Sequence, residues 1–307
     1  MYQKFLDEEI KKISDKWKIT TANTAKLRRD DDLPTTFRYD VLGAEVEYDP
    51  VRRYLKIHCS KYIGKLLDKF KKDSPNLRTA NSPCDPGVPD LAVGKERDDF
   101  PIRELVGGLG HLVQVCRPDI AYSVSRLWRH VTKCTTGVVT AGIRILKYLA
   151  GTREWGLEYT VENELWFLEW YGSLIAEQGK GSTIEDCVTF CDADWASDTT
   201  TMKSTSGVAV YYRGVALLWS SRKQTIVATS TAAAEYCAIH DAIELTKGHG
   251  FLAALVPGDV EFPKIFNDNK SALAISKQEI PSRKSRHLMI RMANVHQYQD
   301  RLNFISS

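Results

Sequence analysis

The pattern of apolar and polar positions divides the chain into three regions with different predicted elements. Residues 2–19 place apolar side chains at helical spacing between charged ones, which predicts an amphipathic helix. Two β-prone runs follow, at 41–48 and 54–58, and a turn between them predicts a hairpin. Ser60 is a favourable N-cap for the helix that comes next.

The middle of the chain has a strongly helical pattern. Apolar residues recur at helical spacing over 101–148, with a break at Pro118. Residues 73–99 are rich in Pro, Asp, Asn and Gly, which predicts a long loop. Residues 160–186 show no steady period, and 178–183 has the composition of a linker. We therefore predict a domain boundary there, between residues 1–178 and 187–307.

The last 120 residues alternate short β-prone runs with helical segments. The predicted order is β-β-β-α-β-α-α-β, which favours a mixed sheet flanked by helices. The fold class expected from this order is α/β, in the broad sense that includes α+β. The predicted elements are strands 187–191, 207–212, 215–220, 262–266 and 302–305, and helices 229–247, 271–277 and 287–299.

Composition narrows the class of protein without identifying a function. At about 150 residues per domain, the 307 residues suggest two domains, and 43% hydrophobic with 26% charged residues is typical of a globular protein. No apolar run is long enough for a transmembrane helix, and the charged N-terminus is not a secretory signal. We therefore expect an intracellular protein with no membrane contact, cytoplasmic or nuclear. The seven cysteines lack a CxxC pair, which predicts reduced thiols.

The formal net charge is only +3, but basic side chains are concentrated in two stretches. Residues 100–155 and 280–307 both carry a clear excess of Lys and Arg over Asp and Glu. Such patches fit phosphate contacts, and the alternative is an ordinary solvated helix face. The candidate nucleic-acid-binding residues are Arg117, Arg126, Arg129, Lys133, Arg283, Lys284 and Arg286.

Three acidic residues occupy positions where their carboxylates can converge. Asp192 ends the first predicted strand of the last region, Glu235 lies in the first turns of its long helix, and Asp268 follows a later strand. Converging carboxylates repel one another and normally hold cations, and oxygen ligands select Mg²⁺ or Mn²⁺. Two such ions would activate a water and stabilise the leaving oxygen of a phosphodiester. The alternative is that each acid is a turn or helix-cap residue.

Several motifs in collinear order resemble one known family. The ribonuclease H module of copia-type LTR retrotransposon Pol polyproteins is similar to FCDADWASD at 190–198, STSG at 204–207, WSSRKQ at 219–224, STAAAEY at 230–236 and NDNKSALAI at 267–275. The reverse transcriptase part that follows the polymerase motif is similar to LGAEVEYDP at 42–50, KYIGKLLDKF at 61–70, RELVGGLGHLVQVCRPDIAYSVSRL at 103–127 and RILKYLAGTREWGLEY at 144–159. The resemblance covers nearly the whole chain.

The resemblance implies a fold, a site and a reaction. It implies a ribonuclease H-like mixed sheet with flanking helices, preceded by a mainly helical thumb and connection region with a β-hairpin. The family's first three catalytic acids, which bind Mg²⁺ or Mn²⁺, correspond to Asp192, Glu235 and Asp268, with Asp194 as a competing choice for the first. Trp195 and Trp219 correspond to packing residues. The implied reaction is hydrolysis of the RNA strand of RNA–DNA hybrids.

Departures from the family pattern leave an alternative open. The Tyr-x-Asp-Asp polymerase motif is absent from this sequence, so we expect no DNA synthesis. Met289 stands where the family usually has an acid, and the chain is expected to end before the helix that carries the fourth acidic ligand. The alternative function is therefore a catalytically decayed or co-opted remnant that only binds nucleic acid. The expected partners are an RNA–DNA hybrid or other nucleic acid and the remainder of the Pol polyprotein.

Overall fold

The computed structural model of the protein describes residues 28–29, 35–72, 78–84, 91, 94–177, 187–198, 200–250, 261–277 and 289–305. The predicted helix at 2–19, the predicted linker at 178–183 and the basic residues Arg283, Lys284 and Arg286 lie outside the described residues. In the described part of the chain, no helix is long and apolar enough to cross a membrane. All seven cysteines are described, and none takes part in a disulfide.

Five antiparallel strands form a first sheet in chain order, β1 (Arg28–Arg29), β2 (Phe37–Val41), β3 (Ala44–Asp49), β4 (Tyr54–His58) and β5 (Gly156–Tyr159). The predicted hairpin is confirmed, because β3 and β4 pair from Asp49 opposite Tyr54 to Glu45 opposite His58. The buried Asp49 carboxylate fixes the turn by accepting hydrogen bonds from the backbone N–H groups of Val51 and Arg52, at 3.0 Å each.

Four helices pack beside this sheet, α1 (Ser60–Lys69), α2 (Ile102–Val115), α3 (Ala121–Trp128) and α4 (Thr136–Gly151). The helical region predicted for 101–148 is confirmed, with its break at Pro118, where a short 3₁₀ turn joins α2 to α3. Burial of an aliphatic side chain contributes about 1.5–3 kcal/mol, so this core is the main source of stability here. Its fully buried members include Ile63, Leu105, Leu109, Leu112, Ile120 and Leu127.

The predicted N-cap at Ser60 is wrong, because Ser60 is the first residue of α1 and Cys59 occupies the cap position. The Ser60 hydroxyl is used elsewhere. It donates to the carboxylate of Glu154 at 2.9 Å and lies 2.7 Å from Nδ1 of His58. Helix α1 is therefore anchored through tertiary hydrogen bonds, which local sequence does not reveal.

A helix that the sequence pattern does not predict, α5 (Val161–Glu177), follows the first sheet. Its apolar side chains point in several directions, which is why no period was visible at 160–186. Phe167 and Tyr171 are buried, whereas Leu165 and Trp166 are 60% and 62% exposed. The exposed Trp166 ring stacks on Trp170 with the two planes 6° apart.

A second, mixed sheet contains β6 (Cys187–Asp198), β7 (Lys203–Tyr212), β8 (Val215–Lys223), β9 (Lys264–Asn267) and β10 (Leu302–Phe304). Its order is β10-β9-β6-β7-β8, with β6, β7 and β8 antiparallel and with β9 and β10 parallel to β6. The accompanying helices are α6 (Thr231–Thr246), α7 (Lys270–Ser276) and α8 (Met289–His296). In the described part of the chain, the predicted element order and the predicted α/β class, a mixed sheet flanked by helices, are confirmed.

Strand β6 is longer than predicted, which corrects the placement of Asp192 at a strand end. The strand continues to Asp198 because β7 pairs with it beyond Asp192, with an irregularity between Asp194 and Asp198. Its parallel pairing with β9 stops at Phe190. Asp192 therefore lies just past the point where two parallel strands separate, and this places it at an opening of the sheet.

The second sheet is covered on two faces and along one outer strand. Helix α6 packs on one face, and α5 covers the other by contacts of Phe167 and Tyr171 with Val188 and Phe266. The outer strand β8 faces the first part of the chain, with the indole Nε1 of Trp219 donating to the Val113 carbonyl at 2.7 Å. The boundary between domains 1–178 and 187–307 stays a prediction, because the packing of β8 crosses it.

Candidate active site

Three elements bring three carboxylates together at the opening beside β6 and β9. Asp192 lies on β6, Asp268 follows β9, and Glu235 lies in the second turn of α6. The start of α6 is fixed by Ser230, whose hydroxyl accepts a hydrogen bond from the Ala233 N–H at 3.2 Å. One oxygen of each carboxylate lies within 4.8 Å of the other two. The convergence expected from the sequence is therefore present.

Asn267 holds Glu235 in position, and the sequence analysis did not identify it. Its fully buried side chain donates from Nδ2 to the Glu235 carboxylate at 2.9 Å and to the Cys191 carbonyl at 3.1 Å. Its Oδ1 accepts from the Asn269 N–H at 3.0 Å. The sequence signal for this role is the place of Asn267 next to Asp268 in the NDNK motif, at the end of a buried strand. A buried amide there needs hydrogen-bond partners, and the carboxylates nearby can supply them.

Gln224 is a second positioning residue that sequence reasoning missed. Its buried Nε2 donates to the Ser206 hydroxyl at 3.0 Å and to the Ala234 carbonyl at 2.9 Å. These bonds connect the end of β8 to β7 and to the first turn of α6. Gln224 thus fixes the backbone next to Glu235. The last residue of the WSSRKQ motif therefore anchors the start of α6.

Burial and mutual repulsion shift the protonation of the carboxylates. Burial raises the pKa of Glu235 to about 7, and the charges of Asp192 and Asp268 act in the same direction. The hydrogen bond from Asn267 opposes this shift. Burial also raises the pKa of Asp192, with further contributions from Asp268 and Asp194. Burial and mutual repulsion of the carboxylates both make a nearby positive charge favourable.

The donor set fits a divalent cation. Among the described residues, no Lys, Arg or His forms an ion pair with Asp192, Glu235 or Asp268. Glu235 is buried, whereas the two aspartates are exposed and open toward solvent. An all-oxygen group with uncompensated negative charge suits hard cations such as Mg²⁺ and Mn²⁺, and the residues present could hold one.

A cavity of about 940 Å³ opens beside the carboxylates and is lined by both parts of the chain. Asp192, Asp194 and Asp268 form its acidic side, and the 3₁₀ turn before α3 borders it. The Tyr122 hydroxyl of α3 donates to the Asp194 carboxylate at 3.1 Å. Asp194 thus lies in the cavity beside Asp192 but outside the group of three, with a partner of its own. Besides Tyr122, the aromatic lining comes from Phe190, Tyr211, Trp219 and Phe266.

The two tryptophans assigned to packing differ in burial. Trp219 packs against the helical core of the first part and hydrogen-bonds there, as the packing interpretation expects. Trp195 is 49% exposed, and its indole Nε1 donates to the Ala228 carbonyl at 3.2 Å. Trp195 therefore anchors the loop before α6 to the end of β6.

The basic candidates of the first part fall into two groups. Arg117 is only 1% exposed and is held by Asp119 and Thr152, so the prediction that it binds nucleic acid is wrong. Arg129 is largely buried between α3 and the second sheet, where it donates to the Thr205 hydroxyl at 3.0 Å. Nucleic-acid contact stays a prediction for the half-buried Arg126 and the exposed Lys133.

Comparisons with known proteins place the chain among retroelement polyproteins. No protein-family model matches it. It is 30% identical to the retrovirus-related Pol polyprotein from transposon RE1 of Arabidopsis thaliana over 81% of this chain and 16% of that protein. It is 36% identical to the corresponding polyprotein from transposon RE2 of the same plant, over 45% of this chain and 8% of that protein. The chain thus spans less than a fifth of these curated relatives.

Among solved structures, the chain is similar to LC11-RNase H1, an enzyme isolated from compost by a metagenomic approach. The similarity has a TM-score of 0.30 at 19% identity, covering 40% of this chain and 85% of that one. A second structure of the same enzyme, in complex with an RNA/DNA hybrid, gives a TM-score of 0.29 at 17% identity. From the similarity to the RE1 polyprotein over 81% of its length, the chain belongs to the family of Pol polyproteins of copia-type LTR retrotransposons.

Proposed function

We propose that the chain hydrolyses the RNA strand of RNA–DNA hybrids in a reaction that depends on Mg²⁺ or Mn²⁺. One observation carries the proposal: the carboxylates of Asp192, Glu235 and Asp268 converge within 4.8 Å without a cationic partner among the described residues. The family relationship and the ribonuclease H-like sheet support the same reaction. The division of labour proposed is catalysis by residues 187–307 and nucleic-acid binding by residues 1–178.

Each side chain of the site has a separate task in this proposal. Asp192, Glu235 and Asp268 would hold the ion, which when bound would supply charge stabilisation for a phosphodiester and a more acidic water. Asn267 keeps the Glu235 carboxylate turned toward the two aspartates, through bonds to Glu235 and to the Cys191 carbonyl. Because Glu235 is buried and rigidly held, the site is formed before substrate arrives.

Selectivity for a hybrid would come from shape and sugar contacts rather than from base identity. Proteins distinguish RNA from DNA by the 2′-hydroxyl, and they read A-form duplexes through backbone contacts across the shallow minor groove. The cavity beside the carboxylates offers hydroxyl groups for such contacts, from Tyr122 and Ser220.

The direct test is cleavage of a hybrid whose RNA strand carries a label. Wild-type protein should shorten the RNA strand in Mg²⁺ or Mn²⁺ and should leave it intact in EDTA. A DNA duplex of the same sequence should stay intact. The Asp192→Asn variant, purified in the same way, is the matched control against contaminating nuclease. Binding without cleavage in either metal would reject the enzyme and leave a nucleic-acid-binding remnant.

Metal binding should also appear as a pH-dependent gain in stability. Glu235 has its pKa raised to about 7, so at pH 6 it is mostly protonated and at pH 8 mostly ionised. Mg²⁺ must displace that proton at pH 6 but not at pH 8, so the rise in melting temperature should be larger at pH 8. At a Mg²⁺ concentration about 100 times the Kd, the expected stabilisation is about 2.7 kcal/mol.

The measurement is thermal unfolding at both pH values, with and without MgCl₂ at constant ionic strength. The Asp192→Asn variant should lose most of the shift at pH 8. Equal shifts at both pH values, or an equal shift in the variant, would show that Mg²⁺ does not bind at these carboxylates.

A further inference from the structure

A second cavity, of about 450 Å³, lies between α3, α4 and the segment 78–84. We call it the cationic cavity, because its lining includes four positively charged side chains and no acidic one among the described residues. Hydroxyl groups stand between these charges. The lining residues that matter here are Arg78, Ser123, Arg126, Thr140, Arg144 and Lys147.

Helical spacing explains why these charges meet. Thr140, Arg144 and Lys147 follow one another at four and three residues on α4, so they share one face of the helix. Ser123 and Arg126 are three residues apart on α3 and face the same space. The cavity is therefore formed by two facing helices and is closed by the segment 78–84.

Three of the four charged side chains of the cationic cavity have no acidic partner in the described part of the chain. Arg78, Arg126 and Lys147 form no ion pair with any described residue. Arg126 is oriented by neutral partners, with Nη1 donating to the Cys84 sulfur at 3.4 Å and the guanidinium 5.9 Å from the centre of the Tyr122 ring. Arg144 donates from Nε to the Ser82 carbonyl at 3.2 Å. Several converging cations without acidic partners fit a phosphate group.

The cationic cavity is connected to the candidate active site through a single turn of α3. Tyr122 and Arg126 are four residues apart, and their side chains touch. The Tyr122 hydroxyl reaches Asp194 in the carboxylate cavity, whereas Arg126 lines the cationic one. A polyanion lying across α3 could therefore occupy both cavities at once.

We propose that the cationic cavity binds a backbone phosphate of the nucleic acid whose neighbouring part lies at Asp192, Glu235 and Asp268. The identity of that nucleic acid as an RNA–DNA hybrid rests on the proposed function. Arg78 and Lys147 supply the outer charges, and Arg126 supplies a guanidinium already held in place by Tyr122. The cavity thereby fixes the position of the duplex relative to the carboxylates.

The test is the affinity of the full chain for a short fluorescein-labelled RNA–DNA hybrid, measured by anisotropy in EDTA so that no cleavage occurs. Lys147→Glu and Arg78→Glu should each weaken binding about tenfold and lower the slope of log K against log salt by about one, between about 50 and 200 mM. Lys147→Arg should keep wild-type affinity. Circular dichroism confirms that each variant is folded.

The matched control is Lys65→Glu, which makes the same change of charge on an exposed position of α1 outside the cavity. Its affinity should stay close to wild type. Cavity variants that bind the hybrid as tightly as Lys65→Glu would overturn the proposal. The proposal would also fail if inorganic phosphate occupied the cavity while Lys147→Glu left the affinity for the hybrid unchanged. Loss of binding in Lys147→Glu with no cleavage by wild type would reject the proposed hydrolysis and keep the phosphate site.

Discussion

Replacing Glu235 with Gln is expected to reduce Mg²⁺-dependent cleavage of a hybrid by about 10³-fold, because a bound ion supplies several kcal/mol of charge stabilisation. Gln keeps the size of the side chain and can still accept the hydrogen bond from Asn267. It removes the negative charge that, together with Asp192 and Asp268, would hold the ion. The loss should appear in kcat more than in KM, because the substrate-binding cavities are unchanged.

The same substitution should make the ion-free protein more stable at pH 8. The folded-state pKa of Glu235, about 7, is above the ordinary value of 4.5 for a glutamate. A carboxyl group with a raised folded-state pKa binds more protons in the folded state, so its contribution to stability is lost as pH rises from about 4.5 to 7. Gln carries no charge to bury, and the expected gain at pH 8 is about 1–3 kcal/mol. At pH 4 the gain should vanish.

These two effects are measured by labelled-hybrid cleavage and by urea unfolding in EDTA at pH 4 and pH 8. Glu169→Gln is the matched control, since it makes the same chemical change at an exposed position on α5. It should alter neither quantity. A Glu235→Gln protein that cleaves at the wild-type rate would remove Glu235 from the site. A Glu235→Gln protein that is less stable than wild type at pH 8 would contradict the conclusion that Glu235 carries a buried, uncompensated charge.

Replacing Arg117 with Ala is expected to lower the free energy of unfolding by about 2–3 kcal/mol, because the buried guanidinium loses its hydrogen bonds to the partly exposed Asp119 and to Thr152. Arg117 donates from Nε and Nη2 to the Asp119 carboxylate, and from Nη1 to the Thr152 carbonyl at 3.0 Å. Its guanidinium also lies 5.5 Å from the ring centre of Tyr148, which itself donates to Asp119. Truncation would leave this network without its cation.

Arg117→Lys should recover only part of that loss, because an ammonium cannot reproduce the fork of the guanidinium. Urea unfolding measures the change, and Lys133→Ala, at an exposed position of the same region, is the control with an expected effect within about 0.5 kcal/mol. A stable Arg117→Ala protein with weakened hybrid binding would instead restore Arg117 as a nucleic-acid contact.

Sequence periodicity predicted those elements whose two sides face different environments. The hairpin of β3 and β4 and the helices α2 to α4 have one side in a core and one side toward solvent. Helix α5 has no such division, because Phe167 and Tyr171 face the second sheet while Leu165 and Trp166 stay exposed. Strand β6 was predicted too short because polar residues after Asp192 are held in the sheet by β7.

The candidate site was predicted in part for a similar reason. Asp192, Glu235 and Asp268 were identified because each stands near the end of a predicted strand or in the first turns of a predicted helix, where side chains from different elements can converge. Asn267 and Gln224 act through buried hydrogen bonds to groups far along the chain, and no spacing rule reveals such partners. Arg117 shows the opposite error, since charge alone does not distinguish a phosphate ligand from the cation of an internal ion pair.

The position of β8 at the outside of the second sheet has a consequence for how the protein behaves when divided. An outer strand with unpaired backbone groups is a template for pairing with another molecule. Here Tyr159 donates to the Ala216 carbonyl at 3.3 Å, and Val215 and Ala216 are buried in the core of the first part. Residues 187–307 expressed alone would uncover this apolar strand, so the isolated piece should self-associate and aggregate.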